Sequence, residues 1–226
     1  MTYNDEQYTN YGLVFYEAGY WKEAEKLNVQ VLETRKRVLR EEHTDTLMSM
    51  GNLASMYRNL GWWKEAEQLF VQVLETTKRV LGEEHPDMLT SMGNLASTYR
   101  NQGWWKEAEQ LEVQVSETRK RVLGEEHPST LVSMGNLVLT YRNLGQWKEA
   151  EQLDIQVLET TKRVLGEEHP DMLTGMNNLA HTLKSQGQDE KAIPLMKNAV
   201  DLLIKQLGPS HPNTIDSINN LNIWQK

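Results

Sequence analysis

Five histidines, His43, His85, His127, His169 and His211, stand 42 residues apart, and four of them close the triplet Glu-Glu-His. An imidazole beside carboxylates is raw material for proton transfer and for metal coordination. Side chains a full repeat apart do not converge on one ion or one substrate atom. Each histidine also directly precedes Pro86, Pro128, Pro170 or Pro212, or Thr44 in the first case. A turn-and-cap role at the start of the next helix is the expectation. The chain has no cysteine, so thiol nucleophiles and disulfides are excluded. It also lacks a Gly-rich phosphate loop, a GxSxG elbow and an HExxH motif. Catalysis needs one convergent, unrepeated cluster. The expectation is a non-enzyme with no catalytic residue, no metal and no cofactor.

Recognition chemistry is better represented. Asn52, Asn94, Asn136 and Asn178 recur at the same step, with Asn10 and Asn220 at matching positions. A carboxamide both donates and accepts hydrogen bonds. A row of them suits the backbone of an extended peptide, although each could equally bond the neighbouring repeat or water. Arg58, Arg100, Arg142 and Lys184 form a second row. No acid lies between the opening Asp or Ser and the marker glycine in the stretches carrying the three arginines. A mildly basic groove favouring neutral or acidic segments is expected. The competing explanation is positional, because a cation in the last turn of a helix stabilises it by about 0.3–1 kcal/mol. Gly51, Gly93 and Gly135 interrupt the same stretches at about 1 kcal/mol each relative to Ala. Close approach of a ligand or of the next helix would justify them, as would inheritance from one duplicated unit.

These rows exist because the chain repeats. Gly19, Gly61, Gly103, Gly145 and Gly187 mark a 42-residue period, and residues 45–86 and 87–128 differ at only seven positions. A period of this length signals stacked supersecondary units. Residues 87–102 place Met88, Leu89, Met92, Leu95, Ala96 and Tyr99 on one stripe at helical spacing. Gly103 then supplies a left-handed stop. Residues 104–122 place Ala108, Leu111, Val115 and Val122 on a second stripe, with Glu107 and Glu109 early and Lys120 and Arg121 late, as the helix dipole favours. Gly124 ends this helix, and Pro128 fits the first turn of the next. A lone pair of such helices cannot hide its stripe, so the pairs must stack. Met50, Met92, Met134 and Met176 read as core. Most tryptophans stand at the start of second helices and read as packing, with Trp62 and Trp104 partly exposed.

The pattern "NLAxxY", Gly, "WKEAE", "LGEEHPD" resembles the tetratricopeptide repeat in its long, kinesin-light-chain-like form, also found in fungal NOD-like receptor (NACHT/TPR) proteins. The resemblance implies an all-α fold, a right-handed α-solenoid of five repeats at about 3–44, 45–86, 87–128, 129–170 and 171–212. A capping helix at 213–226 would cover the stack with Ile215, Ile218 and Leu221. Together they form a single domain over 3–226. Ala54, Ala96 and Ala180 match the small site of the first helix, and Ala24, Ala66, Ala108, Ala150 and Ala192 that of the second. Two departures bear on packing. The family places a large apolar residue four after the second alanine, where this chain has Asn28, Phe70, Glu112 and Asp154. Val138 replaces the first-helix alanine. The resemblance also implies binding of a protein or extended peptide in the concave groove lined by first helices, through Asn52, Asn94, Asn136, Asn178, Arg58, Arg100, Arg142 and Lys184. It further implies a sensor module of a larger receptor-like protein. The alternatives are head-to-tail self-association through terminal repeats or a repeat chain with no specific ligand, and Tyr3, Tyr8, Tyr11, Phe15 and Tyr16, which make the first helix aromatic, are expected to meet an upstream domain.

Charge and hydropathy bound the partners. The net charge of −8 is a poor fit to nucleic acid or an anionic membrane surface. No run approaches the roughly 18 apolar residues of a membrane helix. The start of the chain lacks the basic and apolar regions of a signal peptide. A cytoplasmic location is the expectation.

Overall fold

The computed structural model describes residues 11–12, 14–166 and 169–225. Tyr3, Tyr8 and Asn10 lie outside them. The described residues are largely helical and contain no strand. After a helical stretch at 14–17 come α1 (Trp21–Leu39), α2 (Thr44–Asn59), α3 (Trp63–Leu81), α4 (Pro86–Gln102) and α5 (Trp105–Leu123). They are followed by α6 (Pro128–Asn143), α7 (Trp147–Leu165), α8 (Pro170–Ser185), α9 (Asp189–Leu207) and α10 (Pro212–Trp224). Even-numbered helices open a repeat and odd-numbered helices complete it. The chain forms two compact units, Met1–Leu111 and Glu112–Lys226.

In the first unit α1, α2 and α3 close over Leu32, Leu47, Met50, Leu53, Met56 and Val73. A neighbouring cluster joins Ala54, Ala66, Phe70 and Leu95. The first helices α2 and α4 also touch each other directly. In the second unit, Met172, Leu173, Met176, Ala199 and Leu203 form one cluster between α8 and α9. Burying one such Leu or Met contributes roughly 1.5–3 kcal/mol. All eight family-site alanines are fully buried, as is Val138, so backbones approach closely at these registers. The four recurring methionines are core. Val122, expected on the buried stripe, instead faces solvent, and the half-buried Leu123 beside it takes the inward position in the last turn.

The terminators follow the sequence. Each histidine is the N-cap of a first helix, its Nδ1 accepting the backbone N–H two residues on: Asp45 at 3.1 Å, Asp87 at 3.2 Å, Ser129 and Asp171 at 3.1 Å, and Asn213 at 3.3 Å. That bond requires an unprotonated Nδ1. His85→Ala removes an N-cap and costs about 1 kcal/mol in thermal unfolding, whereas His85→Asn retains an acceptor and most of the stability. First helices end in a Schellman turn. The Gly103 N–H bonds the Arg100 carbonyl and the Trp104 N–H bonds the Tyr99 carbonyl, with Gly103 left-handed at φ 79°. The hydrophobic contact that accompanies this turn is the tryptophan itself. Trp62 sits 5.4 Å from Tyr57 and Trp104 5.6 Å from Tyr99, ring to ring.

Second helices end differently. Gly82 adopts φ 91°, ψ 169°, a region nearly closed to residues with a Cβ. At the same register the first repeat has Arg40, at φ 74°, ψ 166°. Arg40→Gly therefore raises stability by about 1–2 kcal/mol through relief of backbone strain, measurable as an increase in Tm.

The terminal helix α10 packs Ile218, Leu221 and Trp224 against Ala180, Met196 and Val200. Ile215, expected to cover the stack, is exposed; Ser217 takes the buried position on that face.

Candidate functional site

The first helices carry the expected rows, and the structure separates them into two groups along each helix. Near the middle of α2 and α4, Asn52 and Asn94 line one solvent-open cleft of about 180 Å³. Met48, Gly51 and Ser55 of α2, Val73, Thr77 and Leu81 of α3, and Asp87, Thr90 and Ser91 of α4 complete it. The second unit repeats this cleft at a spacing of 84 residues. Leu131, Val132 and Gly135 of α6, Val157, Thr161 and Leu165 of α7, and Asp171, Thr174 and Asn178 of α8 enclose about 410 Å³. Asn178 also lines a third cleft of about 300 Å³ with Asn177, His181 and Asn220. Asn136 is half-buried on α6. Asn220 points its Nδ2 at the His181 Nε2, 3.5 Å away, so this member of the row meets the neighbouring repeat.

A Cβ built on Gly51, Gly93 or Gly135 meets nothing within 4 Å. Close approach of the next helix is therefore not their reason. Gly93→Ala is expected to stabilise the fold by about 0.5–1 kcal/mol, the helix-propensity difference, with no steric penalty. Denaturant titration measures it.

The basic row lies in the last turns, away from the clefts. Arg58 is half-buried with its guanidinium 5.8 Å from the centroid of the buried Phe70 ring. Burial lowers its pKa, and the Arg100 charge lowers it further, so these two cations lie close enough to repel. Burial also lowers the pKa of Arg142, while the Asp154 carboxylate raises it. Lys184 is committed locally, with Nζ 2.8 Å from Asp189 Oδ2. The structure thus brings Asn52 with Asn94 and Arg58 with Arg100, and gives Lys184 a structural partner.

Asp154, one of the polar departures noted above, is buried on α7. The Thr182 hydroxyl donates to its Oδ2 at 2.6 Å and also lies 3.1 Å from the Asn178 carbonyl. Desolvation raises the Asp154 pKa from 3.8 to about 6, with the Thr182 bond and the Arg142 charge opposing. One hydroxyl proton faces two acceptors. A neutral Asp154 resolves this by donating to Thr182 Oγ1, which frees the hydroxyl proton for the Asn178 carbonyl. The sequence marked Asp154 as unusual; Thr182 carried no signal in it.

Among the described residues no three His, Asp or Glu side chains gather as a metal site, and no helix is long and apolar enough to cross a membrane.

Comparison with known proteins agrees with this geometry. A tetratricopeptide-repeat family model matches residues 6–45, 46–87, 88–129, 130–171 and 172–213. The crystal structure of a singly substituted form of a Podosopora anserina kinesin light chain-like protein with nearly identical TPR-like repeats aligns with a TM-score of 0.83. It has 31% identity, and the alignment covers 92% of this chain and 99% of that one. BtubC (BKLC) from P. vanneervenii aligns at TM-score 0.79 and 22% identity, over 92% of this chain and 82% of that one. A Rap protein complexed with competence and sporulation factor aligns at TM-score 0.67 and 13% identity, over 96% and 64%. The last two share the fold. No curated protein matches.

Proposed function

Because the chain belongs to the tetratricopeptide-repeat family, we propose that it is a non-catalytic scaffold binding protein or extended peptide across the face lined by its first helices. The observation that carries this reading is the shared cleft of Asn52 and Asn94. Two carboxamides one repeat apart border one open, partly apolar trough, beside a glycine whose Cβ position is empty. Carboxamides at that spacing hold a peptide backbone through both its N–H and its C=O, and the apolar floor takes a side chain. The Arg100 charge lowers the pKa of the half-buried Arg58, so an acidic group passing over the last turns would offset that repulsion. The Rap relative complexed with a factor shares the fold and supports ligand binding on such an array.

Peptide display on the intact chain, repeated with Asn52→Ala and Asn94→Ala, tests the reading. Selected peptides should lose affinity by about tenfold or more when both carboxamides are removed, as expected for lost hydrogen bonds at about 1 kcal/mol each. Peptides indifferent to both changes place the site elsewhere. Light scattering against concentration separates binding from self-assembly: growth beyond a dimer favours a structural array, and a monomer at high concentration favours the scaffold.

A further inference from the structure

The clefts described above alternate with positions that the chain fills itself. At the register of Thr77 and Thr161, which line the open clefts, the first and third repeats carry Arg35 and Arg119. Arg35 is 9% exposed, and its guanidinium donates to the Asp45 carbonyl at 3.2 Å and to Ser49 Oγ at 2.7 Å. Arg119 donates in the same way to the Ser129 carbonyl at 3.1 Å. Each arginine rises from a second helix and seats its guanidinium against the opening turns of the following first helix. Where threonine replaces it, the side chain is too short to reach. Thr77 turns back to bond the Val73 carbonyl at 2.6 Å. In the first cleft the full acceptor set stays in place, with Asp87 and Ser91 on its wall; in the second, Asp171 keeps its carbonyl and carboxylate while Gly175 removes the hydroxyl. Gly175 occupies the register of Ser49 and Ser91.

We propose that the Thr77 and Thr161 clefts are receptor sites for an arginine side chain of a partner protein, each taking from outside the guanidinium that Arg35 and Arg119 supply from within. Three features favour a guanidinium over other occupants. Arg35 shows that this register can bury a guanidinium almost fully and bond it to a main-chain carbonyl and a hydroxyl, and the half-buried Arg119 keeps the carbonyl bond. The cleft floors are aliphatic, formed by Val73 and Leu81 or Val157 and Leu165, which suits the methylene stem. Each rim carries an aspartate, Asp87 at one cleft and Asp171 at the other, which gives charge complementarity to a cation, while Glu126 at the second cleft is paired with Arg163. A planar fork with five donors also fits a mixed set of carbonyl, hydroxyl and carboxylate acceptors better than a compact ammonium. These sites lie at the opening turns of first helices, apart from the arginine row in their last turns. The Thr77 cleft is the one that Asn52 and Asn94 border, so the proposal rests on the reading of that cleft as a binding site and deepens it, while a ligand of one arginine residue reads the guanidinium pocket apart from the asparagine contacts.

The test uses the intact chain with methyl-labelled Val and Leu, titrated with acetyl-Gly-Arg-Gly-amide and with its Lys and citrulline counterparts. One side chain binds weakly, so saturable shifts are expected at about millimolar concentration. They should appear at the Val73, Leu81, Val157 and Leu165 methyls, and be at least about threefold weaker for Lys and for citrulline. The double variant Thr77→Arg, Thr161→Arg should erase the response by supplying both guanidinia internally. The reverse change, Arg35→Thr, should make Val31 newly responsive, and it keeps the proposal testable should the double variant fold poorly. Absence of saturable shifts at all four methyls, equal response to citrulline, or a double variant that folds and still responds would each overturn it.

Discussion

Asp154→Phe is expected to raise the stability of the chain at pH 7 by about 2–3 kcal/mol, from the roughly 1.36 kcal/mol that accompanies each pH unit of displacement. Asp154 is buried and its pKa is raised from 3.8 to about 6. The folded state therefore favours the neutral acid. Relative to the unfolded chain it holds more protons between these values, so stability falls as pH rises from about 4 through about 6, and the full loss persists above. The first unit holds phenylalanine at this register, and the gain is read against Val138, which stands where Phe70 packs on Ala54. Phe70 stands at the same register, with Arg58 over its ring where Arg142 faces Asp154, and with Thr98 where Thr182 stands. With no carboxylate alongside, the Thr98 hydroxyl bonds the Asn94 carbonyl alone at 2.9 Å. His181 titrates with the opposite sign. Burial first, and then the Arg142 charge, lower its pKa from 6.5, so its contribution is lost as pH falls below that value. Urea unfolding at several pH values from about 4 to about 8 separates the two. The wild type combines opposing slopes, whereas Asp154→Phe keeps only the one that rises with pH. An unchanged pH profile would show that Asp154 is not held neutral.

Phe70→Ala should cost about 3–5 kcal/mol, the range for emptying a fully buried aromatic site. Phe70 is 0% exposed and packs with Ala54, Ala66 and Leu95 in a cluster flanked by Tyr57, Leu69, Leu74, Tyr99 and Leu111. The ring also supports the Arg58 guanidinium, so the variant removes a cation–π contact as well. Calorimetric unfolding reads the loss as a drop in Tm. A change below about 1 kcal/mol would mean that the site collapses without strain.

These two positions show how far the sequence is legible. The period follows from self-comparison of the letters and the helix spans from apolar spacing, while the glycine stops and histidine caps depend on residues within one turn of chain. The buried alanines were readable from register, since small residues recur at the sites where helices pack closely, Val138 being the one larger residue buried there. The fate of Asp154 was not. The register marked it as a polar residue at a packing position, but its partner Thr182 lies 28 residues away with no marking of its own. Ile215 failed for a related reason: α10 turns Ser217 inward, a choice made by the facing helix. The Arg35–Thr77–Arg119–Thr161 alternation was visible in the letters as an 84-residue super-period. Its meaning needed the clefts, because only the structure shows that the arginine guanidinia and the threonine cleft walls address the same register.

For the candidate site, the asparagine row was legible as a row, but which of its members share a space was not. Side chains 42 residues apart in sequence become neighbours only through the direct packing of α2 on α4.

The most direct measurement is a methyl spectrum of the intact chain with a display-selected peptide added. If the first helices carry binding, the exposed Met48, Val132 and Leu139 methyls shift, while Ile155, exposed on the second helix α7, stays in place. Movement of Ile155 with the three first-helix methyls unchanged would put the partner on the opposite set of helices and contradict the assignment.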